Sequence, residues 1–174
     1  MDESAVRSAI ARMAGDIVEK NGGVGSLILV GIQRRGVQLS QFIADEIEKA
    51  HGQRPPLGTL DITLYRDDLT AIGPRPVLGE TRLPAGGIDG KVVVIVDDVL
   101  YTGRTARAAL DELADFGRPS RIQLCVLIDR GGRELPIQPD VVGANVEVTS
   151  DQVVEVRVPA IDEKLAVDIV ARQK

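Results

Sequence analysis

Five consecutive apolar β-branched residues, Val92-Val93-Val94-Ile95-Val96, run directly into two carboxylates, Asp97 and Asp98. An unbroken apolar run of that length, with no alternation, reads as a strand buried on both faces, as strands of a parallel sheet are. Ala106 to Phe116 then shows helical periodicity, with Ala109, Leu110 and Leu113 on one side, and Gly117-Arg118-Pro119 ends it. Ile122 to Ile128, apolar except for Gln123, reads as a second strand, with Cys125 inside it. Strand, helix and strand joined by short turns form a βαβ unit, whose crossover is right-handed in nearly all proteins. The chain is therefore expected to be an α/β protein with a mostly parallel central sheet flanked by helices.

The flanking sequence extends the pattern. Val6, Ile10, Met13 and Ile17 recur at helical spacing over residues 4–20, with Asp2 or Ser4 placed to cap the start. Ser26 to Val30 reads as a short strand, Gly31 to Gly36 as a turn and Val37 to Lys49 as a helix. Thr59 to Tyr65 has strand composition. Residues 73–90 hold five Gly and three Pro, so they read as a long loop, either a functional lid or a solvated hairpin. Residues 129–145 look loop-like and 146–158 look like one or two short strands. Val167 to Val170 fits a strand or a helix equally.

At 174 residues the chain makes one domain, which buries roughly 70% of its unfolded surface without staples. One Cys and one His exclude a disulfide framework within the chain and argue against a zinc site. With two Phe, two Tyr and no Trp, platforms for stacking single-stranded bases are poorly supported. A net charge of −5 argues against a generally basic protein while allowing a local basic patch. No signal peptide or membrane-length apolar run is evident, so a soluble cytoplasmic protein is expected.

The chemistry is concentrated in residues 92–106. Ligands of open α/β sheets bind where strands run out, which is where Asp97 and Asp98 stand. Thr102-Gly103-Arg104-Thr105 follows directly before a helix. Hydroxyls, a glycine and the free amides of a helix N-terminus make an anion cradle. Acceptor-only carboxylates suit ribose hydroxyls. The residues thus describe a pocket for a ribose 5-phosphate, with the phosphate on the loop and the hydroxyls on the acids. Neither the Walker loop nor the Gly-x-Gly-x-x-Gly dinucleotide fingerprint is present. The plainer alternative is that the acids end a strand and Thr102 or Thr105 caps a helix.

This stretch resembles the phosphoribosyl-pyrophosphate (PRPP) signature of type I phosphoribosyltransferases. Leu29–Gly36, Asp61–Leu69, Asp98–Thr105 and Asp129–Ile137 together resemble the bifunctional pyrimidine operon regulators, which also act as uracil phosphoribosyltransferases. The likeness runs from about residue 2 to 158. It implies a single domain over 1–174 with the type I phosphoribosyltransferase fold, a five-stranded parallel sheet, a lid at about 66–90 and a small hood at about 129–158. It implies the reaction of uracil with PRPP to UMP and pyrophosphate, with Mg²⁺ brought by the substrate rather than held mainly by protein ligands. Asp97 and Asp98 would take the ribose hydroxyls. Val99, Leu100 and Tyr101 would line the nucleotide site, and Thr102, Gly103, Arg104 and Thr105 would hold the 5-phosphate. Arg34, Arg35 and Gly36 would form the pyrophosphate loop, with Arg66 and Arg75 on the lid. Arg130 would line the nucleotide pocket, and the backbone near Val154 would meet the base.

The same resemblance implies UMP-dependent binding to a pyrimidine operon messenger leader by a homodimer or homotetramer. Such binding needs clustered cations. Arg7, Arg12, Lys20 and Arg133 are the candidates, with Arg118, Arg121 and Arg157 also available. Gln138 and Ala144 are uncharged where the family commonly has basic residues. The alternatives are a nucleotide-sensing RNA-binding regulator with little catalysis, and an enzyme that has lost RNA binding. A purine or orotate transferase is disfavoured by the Arg-Glu-Leu-Pro box at 133–136.

Overall fold

A computed structural model of the protein describes residues 1–68 and 79–173. Its main sheet has five strands: β1 (Leu27–Ile32), β2 (Leu57–Leu60), β3 (Val92–Leu100), β4 (Arg121–Asp129) and β5 (Val141–Asn145). They lie in the order β2-β1-β3-β4-β5, and every pairing is parallel. The helices α1 (Glu3–Asn21) and α2 (Arg35–His51) cover one face, and α3 (Arg104–Ala114) covers the other. Strand periodicity of two sorts the core. Leu27, Leu29, Val94, Val96, Cys125 and Leu127 pack under α1 and α2, while Ile28, Val30, Val93, Ile95, Leu124 and Val126 pack under α3. The Asp2 carboxylate caps α1 by accepting from the Ala5 amide at 2.8 Å.

Several expected boundaries move. β3 does not stop at Val96, because its pairing with β4 continues past the acids to Leu100↔Asp129. The strand expected over 59–65 ends at Leu60. There the Asp61 carboxylate accepts from both the amide and the hydroxyl of Thr63, turning the chain into a 3₁₀ turn at Thr63–Tyr65. Within the loop-like 129–145, β5 adds to the edge of the sheet. The last apolar segment is a strand, β7 (Ala166–Ala171), antiparallel to β6 (Gln152–Arg157), with a one-turn helix α4 (Pro159–Asp162) between them. The second sheet therefore reaches beyond the expected hood limit of 158, while β5 belongs to the main sheet.

The expected lid divides. Thr59 and Arg82 exchange backbone bonds at 2.7 and 2.9 Å, and Ile88 is in the core, so 79–90 belongs to the frame. Arg75 lies outside the described residues. Both flanks are moored to the far half of α3. The Tyr65 hydroxyl donates to Asp115, and the Thr81 hydroxyl donates to Glu112 at 2.6 Å while accepting from the Asp61 amide at 2.9 Å. Burial pushes the Glu112 carboxyl up.

Candidate active site

The two acids, the anion cradle and the start of α2 meet at the carboxyl ends of β1, β3 and β4. The Asp98 amide donates to the Asp97 carboxylate at 2.9 Å, and the Val99 amide donates to the Asp98 carboxylate at 2.8 Å. Burial, with the neighbouring Asp98 second, pushes the Asp97 carboxyl well above the usual range. Asp98 faces a cavity of about 460 Å³ that Arg35, Val154, Glu155, Val156, Arg157 and Asp162 also line. Asp98, Arg35 and Val154 are thus brought together as expected.

The loop before α3 carries no side-chain cap at Gly103, the residue before the helix, at φ +93. Thr102 Oγ1 accepts from the Arg104 amide at a long 3.3 Å. The loop is held from above by the crossover that leaves β4. The amides of Glu134 and Leu135 donate to the Thr102 carbonyl, and a Cβ on Gly103 would touch Leu135 and Ile137 at 3.3–3.4 Å. Arg133 locks this strap, donating to the carbonyls of Tyr101 and Ile137 and to the Asp129 carboxylate.

That role corrects one expectation. Arg133 is 14% exposed and committed to internal bonds, so it is not a surface cation for RNA. Arg133→Ala would leave Asp129 Oδ2 and the carbonyls of Tyr101 and Ile137 without the Arg133 donor, and should cost roughly 2–3 kcal/mol of stability. Thermal melts would register the loss. Of the other three candidates, Arg12 is tied to the carbonyls of Val142 and Gly143, and Arg7 pairs with Glu3 and lies 5.7 Å from the Phe42 ring centre. Lys20 is exposed in the last turn of α1.

Carboxylates of the chain itself hold three of the arginines singled out in the sequence, Arg35, Arg66 and Arg104. Arg66 pairs with Asp68 through two bonds, at 2.8 and 2.7 Å. Arg104 reaches Asp67 and Glu134, and those pairings hold its guanidinium above its usual range. Arg35 grips Asp162 with Nε at 3.1 Å and Nη2 at 2.8 Å. Arg34 is exposed at the head of α2, and the Gln33–Arg34 peptide is cis. Arg130 stacks 3.9 Å from the centre of the Tyr101 ring and reaches the Gln152 carbonyl at 3.4 Å. Asp162, Asp67 and Glu134 were not legible as site residues. Pro159 signals a helix start, but the fold alone decides which acid faces the cavity.

Residues 2–163 match the phosphoribosyl transferase domain family. The "Bifunctional protein PyrR" of Thermus thermophilus is 53% identical over 173 residues, covering 99% of this chain and 95% of its own length. The protein of the same name from Pelotomaculum thermopropionicum is 53% identical over 162 residues, or 93% of this chain and 89% of its own. Among solved structures, the hypoxanthine phosphoribosyltransferase of Trypanosoma cruzi superposes with a TM-score of 0.74 over 99% of this chain and 95% of that one. At 20% identity, that likeness speaks for the fold alone. Sequence, topology and site agree that this chain belongs to the phosphoribosyl transferase family and, within it, to the PyrR proteins.

Proposed function

We propose that the chain transfers the phosphoribosyl group of PRPP to uracil, releasing pyrophosphate and forming UMP, and that bound UMP promotes its attachment to a pyrimidine operon messenger leader. The observation that supports this reading is the placement of three groups along one sheet edge: Asp97 and Asp98 late in β3, the start of α3 that follows it, and Arg35, which shares a cavity with Asp98. In this reading the amides of 103–105 and the hydroxyls of Thr102 and Thr105 hold the 5-phosphate. Asp97 and Asp98 accept from the ribose hydroxyls. Arg130 and the backbone at Val154 meet the base edge. The bond from the sugar carbon to the pyrophosphate oxygen breaks as uracil N1, losing its proton, bonds to that carbon. Arg35 stabilises the charge growing on the leaving group. Arg66 and Arg75 would add to it when a lid closes and excludes water.

The oxygen donors at the end of β3 fit a hard cation that keeps most of its ligands from substrate and water. Asp97 and Asp98 would flank Mg²⁺ arriving with PRPP, and the ion would offset pyrophosphate charge. No helix among the described residues is long and apolar enough to cross a membrane. The proposed setting is the cytoplasm, with the chain as a homodimer or homotetramer, which sedimentation would check.

The deciding experiment offers uracil, hypoxanthine, adenine and orotate separately with PRPP and Mg²⁺ and follows pyrophosphate. Release with uracil alone is expected. No release with any base, from a folded protein that still binds UMP, would replace this reading with a nucleotide-sensing regulator. Electrophoretic titration against the leader RNA, with and without UMP, tests the second activity. Within the site, Arg35→Ala should slow turnover far more than it weakens UMP binding, because UMP carries no pyrophosphate. Equal losses in both would refute that role for Arg35.

A further inference from the structure

Arg35 belongs to the start of α2, yet the group that orients it comes from a different part of the fold. Asp162 closes the one-turn helix between β6 and β7. Its Oδ1 accepts from Arg35 Nη2 at 2.8 Å, and its Oδ2 accepts from Arg35 Nε at 3.1 Å. The same Oδ2 accepts from the Val158 amide at 2.9 Å, so the carboxylate is itself fixed. A second bond, from the Ala160 amide to Gln38 Oε1 at 3.2 Å, ties this turn to the first turns of α2. The Asp162 side chain is 14% exposed, against 35% for Arg35.

A guanidinium presents five N–H donors on two usable edges. Asp162 engages Nε and Nη2, which form one edge. The Nη1 side makes no bond among the described residues, and Arg35 lines a cavity together with Asp98. Long cationic side chains lose considerable rotamer freedom on binding, and a guanidinium fixed beforehand loses less.

We propose that Asp162 is a positioning residue for pyrophosphate recognition: by gripping one edge of Arg35 it aims the other edge at the leaving group. The proposal rests on the reading of Arg35 as a pyrophosphate ligand. It makes the junction of the two β-sheets part of the transfer site, although Asp162 itself touches no substrate.

The test measures inhibition by inorganic pyrophosphate, KM for PRPP, kcat and UMP affinity in Arg35→Ala, Asp162→Ala, Asp162→Asn and the double variant Arg35→Ala/Asp162→Ala. Asp162→Ala is expected to weaken pyrophosphate and raise KM for PRPP by about 10-fold, leaving UMP within about 2-fold. Asp162→Asn keeps an acceptor for the Val158 amide and should fall between wild type and Asp162→Ala. If Asp162→Ala does not fold, the Asn variant carries the comparison. In the Arg35→Ala background, losing Asp162 should add nothing further to the pyrophosphate defect. Tighter pyrophosphate binding by Asp162→Ala would mean that the carboxylate competes with the ligand, and would overturn the proposal. So would an equal loss of UMP affinity, or full additivity in the double variant. A pyrophosphate defect in Arg35→Ala without one in Asp162→Ala overturns the positioning role alone. No defect in Arg35→Ala overturns the reading of Arg35 as well.

Discussion

Gly36→Ala is expected to cost at least two orders of magnitude in kcat/KM for PRPP and about 1–3 kcal/mol of stability. A Cβ at position 36 would collide with the carbonyl oxygen of Val96 and come within 3.3–3.4 Å of Val96 C and Asp97 Cα. These are backbone atoms in the middle of β3, so they cannot step aside as a flexible side chain would. The strain is relieved by lifting the first turn of α2, which carries Arg35 away from the acids. Gly31 is equally confined from below, since a Cβ there would lie 2.5 Å from the Gly36 carbonyl oxygen and from Val37 Cα. Gly15 is the control. It lies within α1 with nothing within 4 Å of its notional Cβ, so Gly15→Ala should stabilise by about 1 kcal/mol and leave turnover unchanged. Urea denaturation together with pyrophosphate release reads all three. A Gly36→Ala enzyme with wild-type kinetics would remove the argument that close backbone contact sets the site.

Asp97→Asn should separate function from stability. Turnover is expected to fall about 10²-fold and UMP to bind about 10- to 100-fold more weakly, because the acceptor proposed for the ribose hydroxyls loses its charge. The melting temperature should nevertheless rise near neutral pH. Burial and Asp98 hold the Asp97 carboxyl well above its usual value. A carboxyl raised in the folded state contributes stability below its unfolded value, near pH 3.9, and loses it as pH climbs through the folded value. The neutral amide escapes that loss, so the advantage of the variant should shrink as pH is lowered toward 4. Melts across pH 4–8 decide it. A variant less stable than wild type at pH 7 and unchanged in relative stability at pH 4 would contradict the strain assigned to this acid.

The sheet core was legible because continuous apolar runs such as Val92–Val96 and Leu124–Ile128 have few other uses than a doubly covered strand. The turn into α3 was legible for a similar reason, since a glycine and hydroxyls at a helix start are marked in local sequence. β5 was hidden because Val141–Asn145 is short and contains Gly143, and only pairing with β4 makes it a strand. Thr59–Tyr65 misled because its composition favours strands, while one carboxylate, Asp61, turns the chain. Arg133 misled in the opposite direction. Its charge suggested a surface role, but the crossover folds back and buries it against Asp129. Asp162 could not be found from its neighbours at all. Its partner is 127 residues earlier, and contacts of that separation leave no mark on local composition.

The parallel order of the five strands also bears on how the protein comes into being. No two neighbouring strands are joined by a hairpin, so each pairing waits for a crossover to be completed. The segments that form the site enter the chain far apart: Arg35 early, the acids and cradle at mid-length, the strap near residue 134 and Asp162 close to the end. A chain emerging from the ribosome up to residue 120 would contain the cradle sequence without the strap that holds it or the carboxylate that steadies Arg35. Full competence to bind PRPP should therefore wait until both the strap and Asp162 have been made.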